Sequence, residues 1–406
     1  MKKTFQVLSL VFFFCCSIIL SLMIIGYSRI PNELSIQEYD LMSSGSAFVC
    51  RPLTEVSANA SLNQPNQYET SVKLFNIFPI KSAKVTVSER KYVVLGGNVF
   101  GIRLYTKGVM VVKIDEISTP AGKVSPGAQA GLKPGDMILS VNGKEITDNK
   151  TLSKIIASSG GKTLNFKIER NGKTSDIKFT PVLSSSSYKG GLWIRDSTAG
   201  IGTMTYYDRD SGIFAGLGHA VCDVDTGEIM PLSGGDAVQA EVMGCYKGTG
   251  STPGELCGVF SGSSLGELYI NGNTGIFGKL SKTPYNSGKI IPIATPSEVK
   301  TGSAQIISTV DENGPKYYNI EIKKIYTGAA DNRNLIIKVT DEALKEKTGG
   351  IVQGMSGSPI IQNGMLVGAV THVFVDNAAE GYGIFAQNMV ETQASLENSL
   401  KLKNAG

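Results

Sequence analysis

Histidine is scarce in this chain of 406 residues, which contains only His219 and His372. Six cysteines are present, but their spacings match no zinc-binding pattern. The sequence also lacks an HExxH motif, which excludes an intramembrane metalloprotease built on that motif. With so few ligands of the right kind, we expect neither a metal site nor a bound cofactor.

The sequence also lacks a strong net charge and has little tryptophan. The formal charge is +4 without a dense run of Lys and Arg, which does not predict nucleic-acid binding. One tryptophan against 47 glycines favours strands and turns over a helical bundle. Short apolar runs divided by Gly-rich turns follow from about residue 183, until a final helical segment. The sequence therefore predicts a mainly β fold.

Charge is absent altogether between Val7 and Tyr27, "VLSLVFFFCCSIILSLMIIGY". A run of this length spans the ~30 Å hydrocarbon core of a bilayer as one helix. Lys2 and Lys3 precede it and favour a cytoplasmic N-terminus. No clear small-x-small site follows, so we predict an uncleaved signal-anchor and an exported remainder, with a cleaved signal peptide as the alternative.

Export would permit disulfides among the cysteines that follow this run, which are Cys50, Cys222, Cys245 and Cys257. Cys245 and Cys257 are a possible pair, but four cysteines allow three pairings. A set of free thiols is an equal alternative, and the sequence does not choose between the two.

The stretch "VSPGAQAGLKPGDMILSVNGKEI", residues 124–146, combines two Gly-containing turns with a short helix and a strand. It resembles the core of a PDZ domain, and the resemblance extends over about residues 98–182. Upstream, "NVFGIRL" occupies the place of the carboxylate-binding loop, so Phe100, Gly101 and Ile102 are the predicted peptide-binding residues. A PDZ groove receives an extended peptide as an added strand. The alternative is a module that packs on its neighbour and binds nothing.

The segment "GMSGSPI", residues 354–360, places two serines in a Gly-rich turn. Such a motif is often only a turn. In the trypsin-type turn, however, the nucleophile stands where Ser356 stands here. The N–H groups of Gly354 and Ser356 would then form the oxyanion hole. We interpret Ser358 as a turn residue.

A serine nucleophile needs a base whose pKa lies near the working pH, and histidine is the usual one. His219 in "GIFAGLGHAV" ends an apolar run between small residues, which leaves its ring accessible. His372 lies within the strand-like "GAVTHVF", where packing is the expected role. We therefore predict that His219 is the base and that His372 is structural.

A third group, usually a carboxylate, orients the histidine of such a pair. Asp223 and Asp225 follow His219 so closely that we predict them to be turn residues. Asp341 ends the strand "NLIIKVT" and begins "DEALKEKTGG". This is also an N-cap position, so capping and catalysis stand as equal alternatives for Asp341.

The anchor, the PDZ module and the segments "GHAV", "GIVQGMSGSPIIQNG" and "VGAVTHVF" together resemble stage-four sporulation protein B, the SpoIVB peptidases. These are serine peptidases of endospore-forming bacteria. The resemblance implies a trypsin-like fold with a catalytic triad of His219, Asp341 and Ser356. It also implies cleavage of the protein itself and of a membrane-bound regulatory complex, which leads to processing of a late sigma factor. The expected location is the space between the two forespore membranes.

We therefore predict a mainly β protein in four parts. These are a cytoplasmic tip with a transmembrane anchor (1–28), a stalk and β-rich leader (29–97), a PDZ domain (98–182) and a trypsin-like β-barrel serine peptidase domain (183–406). Two alternatives are a PDZ-based envelope adaptor with an inactive protease domain and a trimeric quality-control protease. The presence of both nucleophile and base disfavours the adaptor. The PDZ module comes before the protease domain, which disfavours the quality-control protease.

Overall fold

The computed structural model describes residues 2–29, 33–35, 48–52, 67–86, 90–248, 253–282, 288–327 and 333–405. The chain divides into two compact units, Met1–Lys91 and Tyr92–Gly406. Each unit is described by itself.

The first unit combines a long apolar helix with a small sheet. Its elements are α1 (Lys2–Arg29), β1 (Glu33–Ser35), β2 (Phe48–Pro52), β3 (Gln67–Leu74) and β4 (Phe78–Thr86). The strand order is β1-β4-β3-β2, with β1 parallel to β4 and the other pairs antiparallel. Within α1, Gln6–Ser28 is long and apolar enough to cross a membrane, and its side chains are not covered by protein. This is consistent with a single-pass membrane protein.

The second unit contains most of the strands. They are β5 (Tyr92–Leu95), β6 (Val99–Ile114), β7 (Ile117–Thr119), β8 (Gly122–Val124), β9 (Met137–Val141), β10 (Lys144–Glu145), β11 (Leu164–Arg170), β12 (Lys173–Phe179), β13 (Val182–Ser184), β14 (Ser187–Lys189), β15 (Leu192–Tyr207), β16 (Ile213–Gly216), β17 (Gly234–Tyr246), β18 (Glu255–Gly272), β19 (Gly275–Leu280), β20 (Ile290–Pro292), β21 (Gly302–Ser308), β22 (Lys316–Ile325), β23 (Leu335–Val339), β24 (Pro359–Gln362), β25 (Met365–Phe374) and β26 (Asn377–Phe385). Its helices are α2 (Pro126–Gln129), α3 (Asn149–Ala157), α4 (Glu342–Thr348) and α5 (Ala386–Ala405). The predicted mainly β fold is confirmed.

Two six-stranded barrels form the frame of this unit. Strands β6, β17, β18, β19, β16 and β15 pair in a ring, because β6 pairs with both β17 and β15. Phe100 and Phe214 meet edge to face inside it, with ring centroids 5.7 Å apart. The second barrel is closed in the order β21-β22-β23-β26-β25-β24. Alternate residues such as Ile320 and Ile322 of β22 are buried in its core, as the period of two in a strand requires.

The PDZ module is inserted within the first barrel. Strands β6 and β15 each run for 16 residues, and both continue out of the barrel. The second half of β6 pairs with β9, through Val109 and Met110, and so joins the module's sheet to the barrel. The predicted boundaries at residues 98 and 183 therefore need correction, since the first half of β6 belongs to the barrel. No composition change marks a strand that is shared by two domains.

The cysteines outside the helix that the structure describes with their side chains are free thiols: Cys222, Cys245 and Cys257. Cys245 and Cys257 lie on neighbouring strands, one residue out of register with each other. Burial raises the pKa of the Cys245 thiol. The side chain of Cys50 lies outside this description.

A buried ion pair holds the core of the module together. The Asp136 carboxylate is 1% exposed and accepts hydrogen bonds from Arg170 Nε at 2.5 Å and from the backbone N–H of Lys133 at 2.8 Å. Arg170 also donates to the carbonyl of Gly131. The guanidinium therefore neutralises the buried charge and joins β11 to the turn that precedes β9.

We predict that Arg170→Met lowers the free energy of unfolding of the module by about 3 kcal/mol, because it leaves a buried carboxylate without its counter-charge. The matched control is Arg103→Met. This variant breaks the ion pair between Arg103 and Asp236, whose side chains are 39% and 36% exposed respectively. It should lower the free energy of unfolding by less than about 1 kcal/mol. Thermal unfolding of both variants measures the difference. Equal shifts would contradict the prediction.

Candidate active site

The serine turn is built against the first barrel. Gly357 has φ +92°, and a Cβ there would overlap the carbonyl oxygen of Thr203 in β15. The N–H of Thr203 donates to the carbonyl of Ser356 at 2.9 Å, and its hydroxyl donates to the carbonyl of Gly354 at 2.9 Å. The Thr205 hydroxyl donates to the carbonyl of Gly357 at 2.8 Å. Sequence reasoning missed both threonines, because only the barrel register places them under the turn.

The two serines of the turn have opposite environments. Ser358 is fully buried, and its hydroxyl has no hydrogen-bond partner within the described chain. Ser356 is partly exposed and lines a cleft. Its Oγ donates to the carbonyl of Thr371 at 2.7 Å. Of the two hydroxyls, only that of Ser356 is open to a bound molecule.

Two backbone N–H groups of this turn remain available. The N–H groups of Met355, Gly357 and Ser358 donate to backbone carbonyls at 2.7–3.1 Å. Those of Gly354 and Ser356 donate to no other atom of the part of the chain that the structure describes. Gly354 adopts φ +96°, a conformation that favours glycine. The predicted oxyanion donors are therefore unpaired and lie in one turn.

His219 enters the same cleft from the first barrel through a strained turn. The N–H of Gly218 donates to the carbonyl of Gly216 at 2.8 Å, with Leu217 between them at φ +66°. A turn of this kind is rare, and a non-glycine residue at its centre is strained by about 1–3 kcal/mol. Such strained residues cluster at functional sites. A Cβ on Gly218 would lie 2.9 Å from side chains of the second barrel, so the turn ends where the two barrels meet.

The contacts of the His219 ring suit a proton acceptor. Its Nδ1 lies 2.7 Å from the carbonyl oxygen of Ala220, which assigns the proton to Nδ1 and leaves Nε2 with a lone pair. Burial lowers the pKa of His219 from its ordinary 6.5, and the carbonyl of Ala220 offsets this only in part. The ring is therefore neutral at neutral pH.

His372 also reaches the cleft, contrary to the role predicted for it. In the pairing of β25 with β26, Val370 lies opposite Gly383 and Val373 lies opposite Gly381. Two residues, Thr371 and His372, thus face one residue of β26, which is a β-bulge. The bulge brings the His372 ring to 4.5 Å from the His219 ring, centroid to centroid. The alternation of the sequence gave no signal of this bulge.

The cleft between the barrels has a volume of about 490 Å³. Its polar lining includes Ser356, Thr371, His219 and His372, together with Thr198, Asp223 and Gln353 at other points of the wall. The two barrels thus bring the predicted nucleophile, base and oxyanion donors to a single site.

Asp341 is not part of this cleft. It is the N-cap of α4, where its Oδ1 accepts from the N–H of Leu344 at 3.1 Å. Its Oδ2 accepts from the N–H of Asn319 at 3.2 Å. Both carboxylate oxygens therefore accept backbone N–H groups, as the capping alternative requires, and a catalytic role for Asp341 stays a prediction.

Asp223 does line the cleft, but its carboxylate is already engaged. It forms an ion pair with Arg195 and accepts the N–H groups of Asp225 and Thr226 at 3.0 and 2.9 Å. It is a turn residue, as predicted. Among the described residues, no carboxylate is hydrogen-bonded to His219.

Phe100, Gly101 and Ile102 do not form a peptide groove. They lie in β6 of the first barrel, where Phe100 is 1% exposed and Gly101 pairs with both neighbouring strands. Ile102 borders the cleft between the barrels. Their prediction as peptide-binding residues is wrong, because the strand that they occupy is central to another domain.

The PDZ module has a cavity of its own, between α3 and the start of β15. It has a volume of about 290 Å³ and is lined by Leu152 and Ser153 of α3 and by Gly191, Leu192 and Trp193. The lining segment "KGGLWI" follows the module core in the sequence, whereas the carboxylate-binding loop was predicted before that core.

We predict that Asp341→Ala lowers the free energy of unfolding by about 1 kcal/mol, because α4 loses its N-cap. Asp341→Asn keeps an acceptor for the N–H of Leu344 and should be nearly as stable as the wild type. Both variants should still react at Ser356 with a fluorophosphonate. A folded Asp341→Asn variant that does not react would contradict this prediction and would indicate a catalytic role for Asp341.

Comparison with known proteins gives two matches to protein families. The sequence model of the SpoIVB peptidase S55 family matches residues 186–390, just over half of the chain. A PDZ-domain model matches residues 117–170.

Curated relatives match over shorter stretches. The chain is 31% identical over 114 residues to a putative zinc metalloprotease of Brucella suis, which covers 27% of this chain and 30% of that protein. It is 46% identical over 54 residues to a probable periplasmic serine endoprotease DegP-like of Bartonella henselae, which covers 13% and 11%. The chain thus spans less than a third of each relative, and the zinc metalloprotease matches involve only the PDZ module.

Solved structures are similar only remotely. The Rv3671c protease of M. tuberculosis in an inactive form has a TM-score of 0.28 and 12% identity, and the match covers 48% of this chain and 83% of that one. A mutant of human heparin binding protein has a TM-score of 0.26 and 12% identity, with 48% and 86% covered. Neither likeness assigns an activity. By the family match, the chain belongs to the SpoIVB peptidase S55 family, and it carries a PDZ domain.

Proposed function

We propose that this chain is a serine endopeptidase in which Ser356 is the nucleophile, His219 is the general base, and the N–H groups of Gly354 and Ser356 bind the oxyanion. The observation that carries the proposal is the meeting of these groups, from two different barrels, in one cleft. The buried Ser358 and the capping Asp341 have no such position.

The resting hydroxyl of Ser356 donates to the carbonyl of Thr371, whereas His219 is hydrogen-bonded to the carbonyl of Ala220. Catalytic hydrogen bonds are often misaligned in a free enzyme and form when substrate binds. The proposal requires that the Ser356 side chain exchange the Thr371 carbonyl for His219 when substrate binds. The turn itself is already held by β15.

The reaction then follows from these positions. Ser356 Oγ bonds to the peptide carbonyl carbon while its proton passes to Nε2 of His219. The two turn N–H groups stabilise the negative oxygen of the tetrahedral intermediate. The C–N bond breaks as His219 returns the proton to the leaving amine. Water, deprotonated by the same histidine, then hydrolyses the ester on Ser356.

We propose that the substrates are this chain itself and a membrane-bound regulatory complex, cleaved during endospore formation so that a late sigma factor is processed. Membership in the SpoIVB peptidase S55 family supports this role. The apolar helix supports a membrane tether, with the catalytic unit in the space between the forespore membranes. A tether raises the local concentration of any segment or partner held in the same membrane.

The PDZ groove is proposed to hold a peptide segment that sets when and where cleavage occurs. A peptide added beside Leu192–Ile194 would extend the edge of β15, as in β-strand addition. The same strand continues to Thr198–Ile201, which line the cleft, and on to Thr203. The proposed groove and the serine turn therefore share one strand.

We predict that Ser356→Ala abolishes both self-cleavage and labelling by a fluorophosphonate, because the attacking oxygen is removed. Ser358→Ala is the matched control and should retain most of each, since its hydroxyl is buried and unpaired. Gel analysis, fluorophosphonate labelling and N-terminal sequencing of the fragments provide the measurement. Labelling that persists in Ser356→Ala would place the nucleophile elsewhere.

We predict that Ser153→Trp, which fills the groove from the exposed face of α3, changes the rate or position of self-cleavage. Lys154→Trp is the matched control, because Lys154 is exposed on the same helix but does not line the groove. Labelling of Ser356 should be unchanged in both variants. An unaltered cleavage pattern in Ser153→Trp would contradict the proposal and would indicate that the module acts only as a spacer.

A further inference from the structure

Strand β15 has one free edge between the PDZ module and the serine turn. Its first edge pairs with β6 along Leu192–Thr203. Its second edge is bound only from the serine turn onward, by that turn and then by β16 and β5, so no described strand lies beside Leu192–Gly202. Ala199 and Gly200 on this stretch are exposed. Every second backbone N–H and C=O of such an edge is open to an added chain.

The two ends of this free edge lie in two different cavities. Gly191–Ile194 line the cavity of the PDZ module, and Thr198–Ile201 line the cleft that contains Ser356. Between the two cavities, the side chains of Arg195 and Asp196 bind the loop after β16 and the start of α3. These contacts use the side chains and leave the backbone edge open. An extended peptide can therefore follow one strand from the module to the cleft.

The segment before β15 is suited to the end of a polypeptide chain. The N–H groups of Gly190 and Gly191 donate to no other atom in the described part of the protein. Gly191 has φ +66°, and a Cβ there would lie 2.4 Å from the carbonyl oxygen of Asp115, so the turn requires glycine. Lys189 lines the same cavity and supplies a positive charge. Free N–H groups beside a cation suit a carboxylate.

The remaining wall of this cavity is largely apolar. Its apolar members include Ile117, Leu152 and Ile156. An apolar side chain next to the bound carboxylate would be covered by this wall. The ligand that fits is therefore a chain end with a free carboxylate and an apolar last residue.

We propose that a substrate with such a C-terminus binds as one added strand along β15, with its carboxylate at Gly190 and Gly191 and its scissile bond at Ser356. The proposal rests on the proposed role of Ser356 as nucleophile. Because the carboxylate lies before the first residue of β15, the peptide runs antiparallel to the strand and its upstream residues extend toward the cleft. The piece between the scissile bond and the C-terminus is the leaving amine of the proposed mechanism.

The length of the free edge sets the position of the cut. Opposite residues of an antiparallel pair match one for one, so the stretch Leu192–Ile201 places the scissile bond about ten residues before the C-terminus. A groove that acted only as a flexible tether would behave differently. It would require a minimum span and would lose its effect slowly as the spacer lengthened. An added strand requires a matching length and the backbone N–H groups that proline lacks.

The test uses the full-length chain in detergent and a series of internally quenched peptides. Each peptide contains the segment that spans the mapped self-cleavage bond, then a Ser/Thr spacer and a C-terminal valine with a free carboxylate. The spacers place the bond from about 4 to about 16 residues before the C-terminus. We expect kcat/KM to be highest near ten residues and at least about tenfold lower for the shortest spacer, which cannot occupy both sites at once.

The controls change the peptide first and the protein second. An amide in place of the carboxylate, or prolines within the spacer of about ten residues, should remove the maximum. Ser153→Trp, which fills the groove, should remove it as well, whereas Lys154→Trp should keep it. The amide and proline peptides are tested on the wild-type chain, so they remain decisive if Ser153→Trp does not fold.

Equal rates at every spacer length, or equal rates for the amide and the free carboxylate, would overturn the proposal. A rate that rises to a plateau and tolerates proline would replace the added strand by a tether. Labelling of Ser356 by a fluorophosphonate with every peptide left intact would overturn this inference alone. A wild-type chain that neither labels at Ser356 nor cleaves itself would instead overturn the proposed function.

Discussion

The contact between Gly357 and β15 is the constraint on which the site depends. The serine turn belongs to the second barrel, yet its carbonyls are bound by Thr203 and Thr205 of the first. A side chain at position 357 would collide with the backbone of Thr203. Because the turn is fixed to both barrels, the proposed nucleophile and oxyanion donors keep one position relative to the proposed base. The cleft exists only where the barrels meet.

The long strand β15 connects the PDZ module to the cleft. One strand passes from the groove at Leu192 along the cleft wall to Thr203 under the serine turn. A module attached by a flexible linker would bind peptides independently of the catalytic unit. Here a peptide added to the strand edge would act on the element that also supports the nucleophile turn. This geometry suits control of cleavage by a bound segment.

The chemistry of the cleft is that of a weakly charged site. Burial keeps the rings of His219 and His372 neutral, and the one carboxylate that lines the described cleft is paired with Arg195. A neutral base accepts a proton readily, but the resulting imidazolium needs support. The ring of His372 lies against that of His219, with 4.5 Å between the centroids. The cleft therefore combines a partly exposed Ser356 hydroxyl with a neutral His219 ring.

The sequence by itself determined the features that local chemistry controls. Three features are visible in short stretches of sequence: an uncharged run of membrane length, the paired turns of the PDZ core and the glycines around Ser356. Because the chain contains only two histidines, the sequence also limited the candidates for the general base to two positions. Only the tertiary structure decided the rest. The β6–β15 pairing inserted the PDZ module and buried Phe100, the bulge in β25 turned His372 to the cleft, and the N–H of Asn319 occupied the second carboxylate oxygen of Asp341. These outcomes depend on which strands pair and in which register, and that choice is made by residues far apart in the chain.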